Sequence, residues 1–363
     1  MLTPADEYLI HQTPYTVDSV FTSDRNFYDR YYFGAYNRDG SVYMAVAMGV
    51  YPNLGVMDAA IAIVHQGKER AIRASRILGT DRMDTRVGPI SVQIVQPLHR
   101  IRLKVAKNRF GIAADLVFEA RSLPVEEPHF LRRVGNNVAM DYTRMTQHGN
   151  WTGKLSLDGK AFDLSTPWWG TRDHSWGVRG VGGRDLRGAP STQAPQFFWN
   201  WAPCNFDDLG ILFTVSEYSD GTRWHECGVI LTPYPNATAT EAAIDHDLVF
   251  KKGTRHLESA TLHMRPKGGK ELEVQVKPMY SFLMRGIGYG DPKWGHGMYV
   301  GPDEIECVEF DLAKENPMDP GNLHVQQISQ ITAGKHKGIG LYEVIALGPV
   351  EKYGLKGLMD PSQ

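Results

Sequence analysis

The sequence predicts an all-β protein built from barrels or sandwiches, and three observations carry that expectation. Apolar and polar residues alternate in long runs. "ISVQIVQPLHRIRLKV" (90–105) alternates on both sides of Pro97, and "ELEVQVKP" (271–278) alternates too. A period of two places successive side chains on opposite faces of a strand with one face buried. Turn dipeptides punctuate such runs at Asp39-Gly40, Asp158-Gly159, Asp220-Gly221 and Gly268-Gly269, which is a hairpin signal. Helical periodicity is scarce. Only 4–12, where Thr3, Pro4 and Asp6 read as a capped start, and 240–246 are helix candidates. Short strands joined by Gly, Pro and Asp turns favour closed sheets. Closure removes exposed edges, and a lipocalin-size barrel encloses a ligand cavity.

The chain has 363 residues, enough for two domains or one large β domain. The strongest shift in composition is "VGGRDLRGAPSTQAP" (181–195), rich in Gly, Pro and polar residues. It divides the chain almost equally, into 1–185 and 186–363. A net charge of −2, with basic residues spread along the chain, favours neither nucleic acid nor an anionic membrane surface. No run approaches the ~20 apolar residues of a membrane-spanning helix. The N-terminal "MLTPADEYLIHQ" lacks the order of a signal peptide. The three cysteines, Cys204, Cys227 and Cys307, are widely spaced and suit a reduced, cytoplasmic protein.

The densest chemistry lies in "GTRDHSWGVRG" (170–180). In an extended chain Thr171, Asp173 and Ser175 face one way, while Arg172, His174 and Trp176 face the other. A carboxyl group in an aromatic, poorly solvated site stays protonated and becomes a proton donor. The alternative is an Asp–Arg surface pair at a strand end. Around this stretch Trp168, Trp169, Trp176, Trp199 and Trp201 gather five of the chain's eight tryptophans. Aromatic faces stabilise cations by roughly 0.5–2 kcal/mol each. An acid beside aromatic walls is what carbocation chemistry on an alkene requires.

A second constellation is the glycine-rich "MRGIGYGDPKWGHGMYVGPDEIE" (284–306), which carries Tyr289, Trp294 and His296. Its glycine spacing is not that of a dinucleotide-binding loop, so it reads either as a cover over a cavity mouth or as a structural loop. In the first half, Tyr51, Asn53, Asp58, Asp141, Tyr142 and Arg144 are weaker candidates. No His-x-His or HExxH pattern suggests a metal, and no G-x-S-x-G elbow suggests serine chemistry.

The run Asp173-His174-Ser175-Trp176-Gly177 resembles the D-H-x-W-G signature of the hydroxyneurosporene synthase (carotenoid hydratase) superfamily, also called AttH-like. "YYFGAYNRDGSVYMAVAMGVYPNLGVMD", "RASRILG", "WWGTRDHSWGVR" and "GHGMYVGP" look like a bacterial branch of it. The resemblance implies two consecutive lipocalin-like antiparallel β-barrel domains, with neither metal nor organic cofactor. In the hydratases water adds across an isolated alkene after protonation. The His and Trp of the motif are implicated, which carries over to His174 and Trp176, with Asp173 beside them. Fungal proteins resembling the superfamily guide intramolecular Diels–Alder cyclisations. The hydratases also use a Tyr and an Asp about one hairpin later. Here that region reads Trp199-Asn200-Trp201-Ala202-Pro203, with the first acids at Asp207 and Asp208, so the second acid has no visible counterpart.

These readings converge on a cofactor-independent enzyme acting by acid catalysis on a C=C bond of a terpenoid, steroid-like or aromatic substrate. The reaction would be hydration, dehydration, isomerisation or cyclisation. Asp173 is the expected acid, His174 its relay, and Trp176 a shield for the cation. Trp169, Trp199, Trp201, Tyr289, Trp294 and His296 are the expected substrate wall. Arg172 and Arg179 are expected to be structural. A non-catalytic carrier of hydrophobic molecules and a Diels–Alderase-type pericyclase are the alternatives.

Overall fold

A computed structural model describes residues 1–183 and 194–363. Two antiparallel sheets hold nearly all of its regular structure. The first runs in space from Asp303–Asp311 through Lys68–Ile77, Val56–His65, Val42–Tyr51, Phe27–Tyr36, Trp168–Arg179, Asn137–Leu157, Ile112–Ala120, Arg100–Val105 and Ile90–Gln96 to Arg86–Val87. It curls until the short strand Arg86–Val87 packs near Val56–His65 and Lys68–Ile77, which makes a nearly closed barrel. The second is a closed eight-stranded barrel of Phe197–Phe206, Gly210–Glu217, Arg223–Leu231, Ala239–Phe250, Leu257–Pro266, Leu272–Leu283, Val325–Ala333 and His336–Leu347. The fold is therefore two antiparallel β-barrels, as the alternation and turns predict.

The hairpins form where the dipeptides stand. At Asp158-Gly159, both residues take positive φ (51° and 79°), the geometry that matches the right-handed twist of a two-residue hairpin. The helical expectations need correcting. Residues 240–246 lie in the strand Ala239–Phe250, because packing of Ile244 and Leu248 against the second barrel's core sets a period of two. Of 4–12, only Pro4–Glu7 is helical, as one 3₁₀ turn whose Asp6 carboxylate accepts from the Thr3 amide at 2.6 Å. No helix among the described residues is long and apolar enough to cross a membrane.

The division placed at 185/186 lies outside the described residues. One strand from beyond it, Asp303–Asp311, joins the first sheet beside Lys68–Ile77. The glycine-rich segment leading into that strand is thereby carried over the junction of the barrels.

Three apolar clusters follow from the alternation. Phe33, Val46, Ile61, Phe118 and Trp151 fill the first barrel, and Phe198, Phe213, Leu262, Val274 and Tyr342 fill the second. The third cluster, with Tyr28, Tyr32, Tyr36, Trp169, Trp199 and Trp201, packs the two barrels together. Adjacent residues go to different clusters: Trp168 lies inside the first barrel and Trp169 between the barrels.

Candidate active site

A cavity of about 410 Å³ opens beside the inter-barrel cluster. The 168–179 strand supplies Asp173, Ser175 and Arg179, all on the face of Trp169. The neighbouring strands add Arg30, Tyr32, Tyr142 and Arg144, and the second barrel adds Phe197, Trp199 and Glu343. Tyr289 and His296 of the glycine-rich segment close one side. That segment is fixed from below. The Asp58 carboxylate accepts from the Gly297 amide at 2.8 Å and from the Tyr51 hydroxyl at 3.1 Å, and Arg73 pairs with Asp291 at 2.8 Å.

Asp173 keeps some accessible surface and lines the cavity. Among the described residues nothing hydrogen-bonds its carboxyl group. Burial is the main reason its pKa is pushed up to about 6; the Arg144 and Arg179 guanidinium groups oppose the rise, and Glu343 adds to it. The alternative reading, an Asp–Arg surface pair, is not formed between Asp173 and Arg172. Arg172 points into the first barrel and donates to Gln147 Oε1 at 3.0 and 2.8 Å.

The cavity holds a second carboxyl group. Glu343 receives Gln326 Nε2 at 2.7 Å and His324 Nε2 at 2.9 Å. Burial pushes its pKa up, but hydrogen bonds and charge from His324, the Gln326 hydrogen bond and the Arg144 charge outweigh that and hold it below the usual carboxylate range. Arg144 is itself clamped. It makes two bonds to Glu127, at 2.8 and 2.7 Å, and its guanidinium lies 4.7 Å from the Trp199 ring. Burial opposes ionisation of Glu127, yet Arg144 and His225 bring its carboxyl down to about 2.

His296 accepts from Arg30 at Nδ1 and donates from Nε2 to the Ile287 carbonyl at 3.2 Å. Burial, then the Arg30 and Arg179 charges, hold its pKa far below the ordinary histidine value, so the ring is neutral. Tyr289 stands edge-on between His296 and His324, with centroids 4.2 and 4.6 Å away.

The cavity thus gathers Asp173, Trp199, Tyr289 and His296 from the residues singled out in the sequence. It does not gather His174 and Trp176. The alternation turns both toward the mouth of the first barrel, where a separate cavity of about 710 Å³ lies under residues 10–21. There His174 Nε2 meets Asp29 Oδ1 at 2.7 Å, and the Trp176 ring lies 5.0 Å from that of His174. Trp169 shares the face of Asp173 but is buried under Arg38, 3.9 Å from its ring. Trp201 is buried beside Tyr32, and Trp294 is buried with its amide bonded to Asp291 at 2.8 Å. None of these three tryptophans lines the cavity.

Sequence reasoning missed Glu343, His324 and Arg30, and ranked Tyr142 and Arg144 low. A signal was present for two of them. Glu343 interrupts the apolar run "GIGLYEVIAL", and Arg30 interrupts "FYDRYYFGAY". A charge inside a strand buried on both faces needs a partner or a task. Asp207 and Asp208 are exposed and pair with Arg38 and His336. Among the described residues, no group of three His, Cys, Asp or Glu is placed to hold a metal ion.

Fold and site together define a double-barrel protein with an acid-bearing cavity where the barrels meet. The chain belongs to a family of unknown function, DUF8625, whose model matches residues 2–356. No curated protein matches it by sequence. Among solved structures it is similar to a Nitrosomonas europaea protein provisionally described as AttH. Identity is 12%, the match covers 89% of this chain and 93% of that one, and the TM-score is 0.52, which shows a shared fold. Looser matches are kievitone hydratase from Nectria haematococca (10% identity, 87% and 88% covered, TM-score 0.45) and CghA with Sch210972 (12%, 89% and 89%, 0.47).

Proposed function

We propose that the protein is a cofactor-independent enzyme that protonates a C=C bond of a hydrophobic substrate in the inter-barrel cavity. One observation carries this reading: two carboxyl groups share an aromatic-walled cavity and their ionisation is pushed apart, Asp173 upward and Glu343 downward. Such a split assigns acid and base.

In this reading the Asp173 carboxyl gives its proton to one alkene carbon. The π electrons form the new C–H bond, and a cation is left on the other carbon, facing the Trp199, Phe197 and Tyr142 rings. Glu343, oriented by His324 and Gln326, takes a proton either from water as its oxygen adds to the cation or from a neighbouring C–H. The first outcome is hydration and the second is isomerisation. The two carboxyls end with exchanged protonation, and exchange with solvent restores it.

The test uses a terpenoid or aromatic alkene that the wild-type protein converts. Asp173→Asn removes the transferable proton and should lower turnover by about 10²–10⁴-fold. Full turnover in Asp173→Asn overturns the acid role and leaves a pericyclase, which needs shape alone.

The 710 Å³ mouth of the first barrel favours a second reading, carriage of a hydrophobic molecule without turnover. A carrier would convert no alkene, and Trp176→Ala would weaken its retention of a hydrophobic ligand.

A further inference from the structure

The charged groups of the inter-barrel cavity separate into those with partners and those without. Arg144 is paired with Glu127, Asp291 with Arg73, and Glu343 with His324 and Gln326. Arg30 differs. It is 4% exposed and lines the cavity, no carboxylate of the described residues lies within ion-pair distance, and its Nε is buried without a hydrogen-bond partner. Among the described residues its one side-chain bond goes to a neutral ring, His296. Asp58 is near enough for the Arg30 charge to favour its ionised form, but it makes no contact ion pair with Arg30, and its hydrogen bonds go to Tyr51 and Gly297. Arg179 lines the same wall, with its guanidinium 5.9 Å from the Tyr289 ring while that of Arg30 is 5.1 Å from it.

A buried cation facing an open volume with unused donors is a poor structural element. Among the described residues no contact ion pair offsets its desolvation. It is a good receptor, because a guanidinium offers a planar fork of donors that matches a carboxylate. We propose that Arg30, with Arg179 beside it, binds a carboxylate of the substrate, so that the substrate is an unsaturated carboxylic acid with a hydrophobic body. The carboxylate then sits by Tyr289 and the apolar part lies toward Trp199 and Asp173. This rests on the reading of the cavity as a substrate site, but it concerns recognition and not proton transfer.

The test is therefore a binding measurement. Naphthalene-2-carboxylate and naphthalene-2-carboxamide are titrated into the wild-type protein at low salt, with tryptophan fluorescence as the readout. The acid should bind at least about tenfold tighter than the amide, as expected of a charge-assisted bond in a desolvated site. Arg30→Gln should abolish that preference, and Arg30→Lys should keep part of it. Equal affinity for acid and amide, no binding of either at millimolar concentration, or an undiminished preference in a folded Arg30→Gln protein would overturn the proposal. If Arg30→Gln does not fold, the wild-type comparison and Arg30→Lys decide it. An acid preference together with full turnover in Asp173→Asn would sink the acid role alone.

Discussion

Asp173, half-buried, and Glu127, fully buried, are both carboxyl groups of the first barrel, yet their surroundings drive them in opposite directions. Glu127 has a clamped guanidinium and Thr146 as partners, whereas Asp173 faces cavity and rings. The consequence is a pH dependence of stability that can be signed. With its pKa near 6 in the folded protein against the ordinary 3.8, Asp173 binds more protons folded than unfolded across that interval. Its stabilising contribution is complete below about 3.8 and is lost as pH rises through 6. Two pH units correspond to about 3 kcal/mol as an upper bound. Asp173→Asn should therefore be more stable than wild type at pH 8, with the gain vanishing near pH 4. Chemical denaturation at the two pH values reads this directly, and an Asn variant less stable at pH 8 contradicts the burial argument. Turnover should follow the same group, falling above about pH 6 as the acid ionises.

At the scale of the element, the 168–179 strand does two jobs because its faces differ. One face carries Trp169, Asp173 and Ser175 to the junction of the barrels, and the other carries Arg172, His174 and Trp176 to the first barrel's interior and mouth. Its position is set by close packing at Gly170, where a Cβ would stand 2.3 Å from Trp151 Nε1 and 2.8 Å from the Gly34 carbonyl, to which that indole donates. Gly170→Ala must spread these strands and should cost about 1–3 kcal/mol, visible as a lower melting temperature. An unchanged melting temperature would show that the strands yield freely. The alternation of this strand was legible in the sequence, since a period of two needs no tertiary information. What it implied for the motif was harder to read. Neighbours in sequence, Asp173 and His174, cannot serve one cavity from a flat strand. The partners of Asp173 on other strands lie 24 positions or more away, Phe197 being the nearest in sequence, and Glu343 lies 170 positions on. The isolated charges at Arg30 and Glu343 were the available signal, but only the register of the sheets places them together. The 240–246 segment misled because its short run of Ala and Ile fits a helix as well as a strand until packing chooses.

At the scale of the whole molecule, the two barrels share more than a contact. The cluster between them takes Tyr28, Tyr32, Tyr36 and Trp169 from the first barrel and Trp199, Trp201, Phe282 and Leu341 from the second, all buried. The strand Asp303–Asp311 returns from the second half to extend the first sheet. Cutting the chain at 185/186 would expose both sets of aromatics and strip that strand. At about 1.5–3 kcal/mol for each large apolar side chain returned to water, the loss matches or exceeds the 5–15 kcal/mol that usually separates folded from unfolded states. Neither fragment, 1–185 or 186–363, should therefore unfold cooperatively by itself. Each should bind a hydrophobic dye, and mixing the fragments during refolding should restore both cooperativity and the cavity. A fragment 1–185 melting cooperatively near the temperature of the full chain would mean that the first barrel closes without the returning strand. The inter-barrel aromatics would then be stabilising an association of finished domains. The cavity, with Asp173 on one barrel and Glu343 on the other, would still need both.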